Sequence, residues 1–193
     1  MKIVFASSNP HKVTEVNHKL GSEFNVIGLH DIGFDEEIEE NGSTLVENAQ
    51  IKARCIWERY QMDCFADDTG LIVDALDGAP GVFSARYAGP QRSAEDNMLK
   101  LLLELNDIDQ RSARFQTSVC LILGGREYLF EGTVEGSIAH APQGEGGFGY
   151  DPLFIPAGYG QSFAEMTLEQ KNQMSHRGRA IEALREFLLT QRT

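Results

Sequence analysis

The chain has 193 residues, of which 41% are hydrophobic and 24% are charged, a composition that is typical of folded globular proteins. The formal net charge of −12 disfavours non-specific binding to DNA, RNA or anionic membranes, because the long-range field repels phosphate groups. A bound metal ion can reverse that field locally, so the composition remains compatible with a small phosphorylated ligand.

The cysteines and the first residues indicate the cellular compartment of the protein. Cys55, Cys64 and Cys120 are odd in number and lack Cys-x-x-Cys spacing, which disfavours a zinc site or a disulfide framework and predicts reduced thiols. The opening MKIVFASS reads as a strand and a polar turn rather than a signal peptide, and no apolar run approaches the roughly 18 residues of a membrane helix. We therefore expect a soluble cytoplasmic protein without membrane contact.

Hydrophobic periodicity predicts strands and helices that mix along the chain. A capping box at Thr44 and Glu47 opens one helix, and Ser93 and Thr167 start two others. The pair Gly124-Gly125 joins two long strands as a hairpin, which interrupts simple βα alternation and predicts an α/β fold with a mixed sheet. The predicted strands are 2–6, 25–29, 64–66, 71–73, 112–123 and 127–140, and the other helices are 11–20 and 178–190.

Two segments favour a phosphorylated ligand. SSNPHK, at 7–12, lies between a strand and a helix start, where N–H groups, the helix dipole and a lysine attract anions. GEGGFGYDP, at 144–152, contains a formal GxGxxG but cannot open a helix, because Pro152 follows. Its glycines instead allow close backbone approach to a ligand, with Phe148 and Tyr150 offering aromatic faces. The alternative for residues 7–12 is a plain N-capped turn, and the alternative for residues 144–152 is a simple long turn.

Charged residues complete the pattern. The acidic run DEEIEE at 35–40 and the pair Asp67-Asp68 supply hard oxygen ligands that suit Mg²⁺, and SHRG at 175–178 could contact a base or a phosphate. The alternative for the acidic run is a solvated charged segment, and the alternative for SHRG is an ordinary helix start. Adjacent side chains of an extended backbone point opposite ways, so only one carboxylate of the pair can face a ligand. Taken together, the four segments favour a nucleotide.

In this order, the segments resemble the inosine triphosphate pyrophosphatase family, whose dITP/XTP pyrophosphatases clear non-canonical purine nucleotides. The matching stretches are SSNPHK, EENGSTLVENAQIKA, ADDTGLIVDALDGAPGVFSARYAG, GEGGFGYDPLF and SHRGRA. The resemblance extends from Lys2 to about Leu188 and implies an elongated mixed β-sheet flanked by helices, with two lobes and a cleft between them. It also implies a homodimer and a single nucleotide pyrophosphatase domain over 1–193. The implied activity is Mg²⁺-dependent hydrolysis of ITP, dITP, XTP and dXTP to the monophosphate and pyrophosphate.

The resemblance also implies the residues of the site. Asp68 and Lys52 would be catalytic, with Asp68 the general base and Lys52 near the phosphates. Glu39 and Asp68 would bind the metal, Glu39 being preferred to Glu40 for its spacing of three before Gly42. The substrate-binding residues would be Ser7, Ser8, Asn9, Pro10, His11, Lys12, Thr69, Phe148, Gly149, Tyr150, Asp151, Lys171, His176 and Arg177.

Several alternatives remain open at this point. Ser7-Ser8 stands where the family commonly has Thr-Gly, and Thr69 stands where serine is frequent. Asp68 would be a weak base when bound to Mg²⁺, so it could orient the water rather than fully deprotonate it. A pyrophosphatase for other modified nucleotides and a non-catalytic nucleotide sensor are the rival functions. A sensor would not need the carboxylates that this chain retains.

Overall fold

The structure, a computed structural model, describes residues 1–191. Within these residues, short 3₁₀ turns at Gly21–Glu23, His30–Ile32, Asp74–Leu76, Ser84–Arg86 and Phe163–Glu165 separate the main elements. The strands are β1 (Lys2–Phe5), β2 (Asn25–Ile27), β3 (Cys64–Val73), β4 (Pro80–Gly81), β5 (Ser112–Leu123), β6 (Arg126–Ile138) and β7 (Phe154–Pro156). The helices are α1 (Pro10–Leu20), α2 (Leu45–Tyr60), α3 (Ala94–Glu104), α4 (Leu168–Met174) and α5 (His176–Thr190).

The strands form one mixed sheet in the order β2-β1-β3-β5-β6-β7, with β4 paired to β3. Strand β1 runs parallel to both β2 and β3, and Val4 lies opposite Ile27 and Cys64. Strands β4 and β7 pair antiparallel with β3 and β6. The predicted α/β fold with a mixed sheet and flanking helices is therefore confirmed, whereas the cleft between two lobes stays a prediction.

The described chain groups into two compact units. The first comprises Met1–Asp68, Thr117–Gly132 and the chain from His176 onward, and the second comprises Thr69–Gln116 and Thr133–Ser175. Strands β3, β5 and β6 each contribute residues to both units. The assignment of residues 1–193 to a single domain stays a prediction.

The first unit buries apolar clusters on both faces of β1. Ile3 and Phe5 belong to one cluster and Val4 to the other, as the alternation of a strand requires. Phe5 stacks on Phe65 with ring centroids 4.7 Å apart. Burial of both faces explains why this strand reads as a continuous hydrophobic run. The first cluster also takes apolar residues of α1 and α5, namely Val16, Leu20, Ala180, Ile181, Leu184 and Leu188, and the second takes Ala49, Ala53 and Ile56 of α2.

The second unit has an aromatic core. The Phe115 ring lies 4.8 Å from that of Phe154 and 6.2 Å from that of Phe163, measured between ring centroids. Leu71 of β3 and Leu101 of α3 belong to the same buried cluster. The core therefore joins β3, α3, β5 and β7 with the 3₁₀ turn at Phe163–Glu165.

Gly132 lets β6 approach the first turn of α5 within the first unit. A Cβ atom at this position would lie 2.1 Å from the carbonyl oxygen of His176 and 2.6 Å from the backbone nitrogen of Ala180. Ordinary contacts between carbon and other heavy atoms begin near ~3.5 Å. The strand backbone therefore supports the helix directly, without an intervening side chain.

The predicted helix starts agree well with the structure. The capping boxes at Thr44 and Thr167 are present, and Ser93 caps α3. Several predicted ends differ by one or two residues, β3 runs without a break from Cys64 to Val73, and α5 begins at His176 rather than at 178. The strands β4 and β7 were not predicted. No helix in residues 1–191 combines the length and the apolar character needed to cross a bilayer.

The buried thiols give a test of this core packing. Burial raises the pKa of Cys64 and of Cys120 to about 12, and it also raises the pKa of the half-buried Cys55. Because the thiolate is the reacting form, we expect Cys64 and Cys120 to resist dithionitrobenzoate at pH 8 in the folded protein. All three thiols should react after denaturation in guanidinium. Release of more than one equivalent of thionitrobenzoate from native protein, at the rate of free glutathione, would contradict this packing.

Candidate active site

Asp67 and Asp68 are adjacent on β3, and only 1% and 7% of their respective surfaces are exposed. Their ionic partners are different. Asp67 pairs with Lys12 and Arg177, whereas Asp68 contacts Asn48 and Lys52. The sequence-based prediction that the two side chains diverge is confirmed.

Asp67 anchors a buried ionic network. Its Oδ2 atom lies 3.0 Å from Lys12 Nζ and 3.0 Å from Arg177 Nε. Arg177 Nη1 in turn donates to Glu15 Oε2 at 2.5 Å. Lys12 and Glu15 belong to α1 and Arg177 is the second residue of α5, so the network ties both helices to β3. Its two positive and two negative charges cancel.

The electrostatic environment favours the ionised forms of Asp67 and Arg177. Burial alone would raise the pKa of Asp67, but the charges of Lys12 and Arg177 outweigh it and hold this pKa well below its ordinary value. Burial would likewise lower the pKa of Arg177, but Asp67 and Glu15 raise it. Burial lowers the pKa of Lys12, and Asp67 opposes that shift.

Asp68 lies in a second ionic group, which α2 organises. Asn48 Nδ2 donates to Asp68 Oδ2 at 3.0 Å, while Lys52 Nζ lies 3.6 Å from Asp68 Oδ1 and 3.1 Å from Glu40 Oε1. Asn48 and Lys52 are four residues apart and share one face of the helix. Asn48 Oδ1 also accepts from the backbone N–H of Gly42 at 2.8 Å, which fastens the segment that carries Glu40. Burial raises the pKa of Asp68, and Glu40 adds to the shift, against Lys52 and Lys12.

The acidic run contributes Glu40 rather than Glu39 to these contacts. Glu39 is exposed, and Glu36 pairs with Arg59 at 2.8 Å. No cluster of three or more His, Cys, Asp or Glu side chains suited to a metal occurs among residues 1–191. Mg²⁺ needs only one or two carboxylates beside substrate phosphates. The Lys52 ammonium lies 3.1 Å from Glu40 and 3.6 Å from Asp68, and the two carboxylates are of the ligand type that Mg²⁺ prefers. Mg²⁺ binding and the choice between Glu39 and Glu40 stay predictions.

The predicted anion-binding turn is an N-capped turn in this structure. Asn9 Oδ1 accepts from the backbone N–H groups of His11 and Lys12 at 3.0 and 3.3 Å, and Pro10 occupies the first helical position. Ser7 Oγ accepts from the N–H of Asn9 at 3.3 Å, and Ser8 is exposed. Phosphate binding at this turn stays a prediction, in which a ligand would compete with the Asn9 side chain for these donors.

A third ionic group lies in the second unit. Lys171 Nζ donates to Asp151 Oδ2 at 2.7 Å, and both residues are 3% exposed. The same carboxylate oxygen accepts from the backbone N–H of Phe148 at 2.8 Å, and the Lys171 ammonium lies 4.7 Å from the centre of the Phe148 ring. A Cβ at Gly147, where φ is +71°, would lie 2.2 Å from that oxygen, so glycine is required there.

The model of the Ham1 family matches residues 3–187 of the chain. The chain belongs to the Ham1 family. The dITP/XTP pyrophosphatase of Porphyromonas gingivalis is 51% identical over 97% of both chains, and that of Flavobacterium psychrophilum is 48% identical over 97% of this chain and 98% of the relative. The solved Ham1 protein of Staphylococcus aureus superposes with a TM-score of 0.90 at 39% identity, over 99% of this chain and all of that one. The resemblance noted in the sequence is thereby confirmed.

Tyr150 of this Ham1 chain is placed differently from expectation, whereas the roles of Thr69, Gly149, His176 and Arg177 stay predictions. The Tyr150 ring is 4% exposed within the core of the second unit, and its hydroxyl donates to the Ser84 carbonyl at 2.9 Å. The expectation that this ring offers a face to a ligand is therefore wrong, because a buried tyrosine hydroxyl needs an internal acceptor. His176 and Arg177 are 3% and 2% exposed at the start of α5, Thr69 is half-buried, and Gly149 has a φ of +63°.

Glu15 and Asn48 are the polar residues that the sequence did not single out. Glu15 lies three positions after Lys12 on α1, and Asn48 lies four positions before Lys52 on α2. Helical spacing from each candidate lysine could therefore have indicated them. Spacing could not have shown that their partners are Arg177 and Asp68.

The Asp67 network predicts a large stability effect in this Ham1 protein. Asp67→Asn leaves the buried Arg177 and the half-buried Lys12 without their shared carboxylate, so the free energy of unfolding should fall by ~3–5 kcal/mol at pH 7. Because the folded-state pKa of Asp67 is below the ordinary 3.8, its contribution is present above that pH and is lost as the pH falls towards the folded value. Urea unfolding should therefore show a smaller difference from the wild type at pH 3 than at pH 7.

Glu23→Gln is the matched control for this experiment. Glu23 pairs with Arg185 at 2.8 Å on the surface of the same unit, with side chains 43% and 28% exposed. Its loss should cost less than ~1 kcal/mol. Equal, small effects of the two substitutions would contradict the structural role of the buried network.

Proposed function

We propose that this chain hydrolyses the non-canonical purine nucleoside triphosphates ITP, dITP, XTP and dXTP to the monophosphate and pyrophosphate. The observation that carries the proposal is the buried Asp67-Asp68 pair, which holds two lysines, Lys12 and Lys52, on separate carboxylates. A pair of ammonium groups beside an acid is a fitting environment for polyphosphate chemistry. Relatives of about half-identical sequence, aligned over nearly the whole chain, are named dITP/XTP pyrophosphatase, which supports the same activity.

Mg²⁺ is part of the proposal. Asp68 and one glutamate of the acidic run, Glu39 or Glu40, would hold it, and the carboxylate oxygens of this set are the ligands that Mg²⁺ prefers. The metal would supply positive charge that neutralises phosphate oxygens. Glu40 and Asp68 already enclose one cationic group, the Lys52 ammonium.

The reaction that we propose is attack by water on the α-phosphorus. A bond forms between the water oxygen and the α-phosphorus, the bond from that phosphorus to the bridging oxygen breaks, and pyrophosphate leaves with the bridging oxygen. Asp68 would orient the water and accept its proton. Lys12 and Lys52 would offset the charge of the departing pyrophosphate. Asp67 would position Lys12 without contacting substrate.

Recognition of the base would rest on hydrogen-bond donors of the protein. Hypoxanthine and xanthine carry an acceptor oxygen at the purine 6-position, where adenine carries an amino donor. The Lys171 ammonium only donates, so it can donate to the 6-oxygen of the former but gains no hydrogen bond from the 6-amino group of the latter. Asp151 and the Phe148 ring fix its position. The proposal also includes a homodimer in the cytoplasm, supported by the resemblance.

Substrate choice is the direct test of this activity. ITP, dITP and XTP should be hydrolysed with kcat/KM at least ~100-fold above that of ATP, the scale of losing one or two buried hydrogen bonds. A panel of triphosphates that includes GTP, CTP and modified pyrimidine nucleotides, with pyrophosphate release as the readout, covers the rival specificities. Equal rates on ATP and ITP would overturn the specificity, orthophosphate as first product would overturn α-attack, and binding without turnover would indicate a sensor.

Asp68 and the acidic run give a test of the metal site. Chelation with EDTA should abolish hydrolysis and added Mg²⁺ should restore it. Asp68→Asn should lower kcat at least ~100-fold, as expected from losing a general base, with a smaller change in KM. Asp74→Asn, at an exposed carboxylate just beyond β3, is the control and should retain the wild-type kcat.

The same assay separates the two candidate glutamates. Glu39→Gln and Glu40→Gln are compared by the Mg²⁺ concentration needed for half-maximal rate. The substitution that removes the ligand should raise this concentration by about tenfold, because one of two protein carboxylates is lost. If neither substitution shifts it, the acidic run is not part of the metal site.

A further inference from the structure

The Lys52 ammonium occupies the space between two carboxylates that come from separate parts of the chain. It lies 3.1 Å from Glu40 Oε1 and 3.6 Å from Asp68 Oδ1, and the side chain is 9% exposed. Glu40 and Asp68 are themselves only partly accessible, with side chains 31% and 10% exposed. Bringing two carboxylates together with this little hydration is unfavourable without a cation. Lys52 is that cation in the free protein.

The contacts of Asp68 are divided between its two oxygens. Asn48 donates to Oδ2 at 3.0 Å, whereas Lys52 approaches Oδ1 at the longer distance of 3.6 Å. Asn48 also accepts a hydrogen bond from the backbone N–H of Gly42, which lies two residues after Glu40. Both carboxylate-bearing segments therefore have an anchor on α2 that is independent of the lysine. The lysine stem can rotate away without releasing either segment.

We propose that Lys52 is an exchangeable counter-cation, so that a divalent metal binds this site weakly in the free protein and enters together with the phosphate groups of the nucleotide. Among Glu40, Asp68 and Lys52 themselves, two negative charges face one positive charge, which favours the approach of a dication. A phosphate chain supplies new anionic partners for the ammonium, which frees both carboxylates for the metal. The inference rests on the proposed function for the identity of the ligand, but not for the charge exchange.

Metal binding by the free protein tests this exchange directly. Mn²⁺ is a suitable probe, because it takes the same carboxylate ligands as Mg²⁺ and its free concentration can be read by electron paramagnetic resonance. Lys52→Met should lower the Mn²⁺ dissociation constant at least ~10-fold relative to the wild type, since a positive charge next to the dication is removed. Lys52→Arg keeps the charge and should bind as weakly as the wild type. Combining Lys52→Met with Asp68→Asn should remove the gain.

Lys19→Met is the matched control for net charge. Lys19 pairs with Glu182 at 2.8 Å in the same unit and is absent from the site. Its substitution removes the same formal charge from the chain and should leave the Mn²⁺ dissociation constant within about twofold of the wild type, because salt screens charges that act over a long distance. Equal tightening by Lys19→Met and Lys52→Met would reduce the effect to overall charge and overturn the proposal.

A wild-type measurement covers the case in which Lys52→Met does not fold. Thermal melts are recorded with Mg²⁺ alone, with pyrophosphate and EDTA, and with Mg²⁺ and pyrophosphate together. Stabilisation by the pair should exceed the sum of the single effects, and stabilisation by Mg²⁺ alone that equals the pair would overturn the proposal. Hydrolysis of dITP is assayed separately. Its absence would refute the proposed function and leave the exchange standing, whereas hydrolysis with unchanged Mn²⁺ affinity in Lys52→Met would refute the exchange alone.

Discussion

Two neighbouring carboxylates on a buried strand impose the arrangement around them. Asp67 and Asp68 point to opposite sides of β3, so each requires its own compensation, and a buried charge left unpaired costs several kcal/mol. Asp67 takes its cations from α1 and α5, and Asp68 takes its partners from α2. The packing of α1, α2 and α5 in the first unit therefore depends on the charges of Asp67 and Asp68. Apolar packing alone would hold these helices, but it would not fix their register against the strand.

Every lysine assigned to the candidate site is held by a carboxylate of the protein itself. Lys12 pairs with Asp67, Lys52 with Glu40 and Asp68, and Lys171 with Asp151. Placing a cation this way costs little side-chain entropy when a ligand arrives, because the side chain is already ordered. The same carboxylate also competes with an anionic ligand for the lysine ammonium. A weakly charged molecule would gain little by displacing a carboxylate, whereas a polyphosphate offers several anionic oxygens at once.

Local signals in the sequence predicted most of the elements, and long-range pairing limited the rest. Capping residues such as Thr44 and the hairpin glycines act over a few positions, so their effect is readable from the chain. The short strand Pro80–Gly81 gave no such signal, since two residues show no periodicity. Divergence of Asp67 and Asp68 followed from strand geometry, but the contact of Arg177 with Glu15 joins residues 162 positions apart. Tyr150 was misjudged because its acceptor, the Ser84 carbonyl, lies 66 positions away in the sequence.

The close approach at Gly132 makes the ionic network sensitive to a residue that carries no functional group. Any side chain there would push the first turn of α5 off the strand, because its first carbon would overlap the His176 carbonyl. Arg177 is the next residue of that turn, so its guanidinium would be carried away from Asp67. Genetic variation at this glycine would therefore resemble damage to the candidate active site itself. The positions intolerant to mutation in such a protein extend beyond the groups that take part in chemistry, to the backbone on which those groups rest.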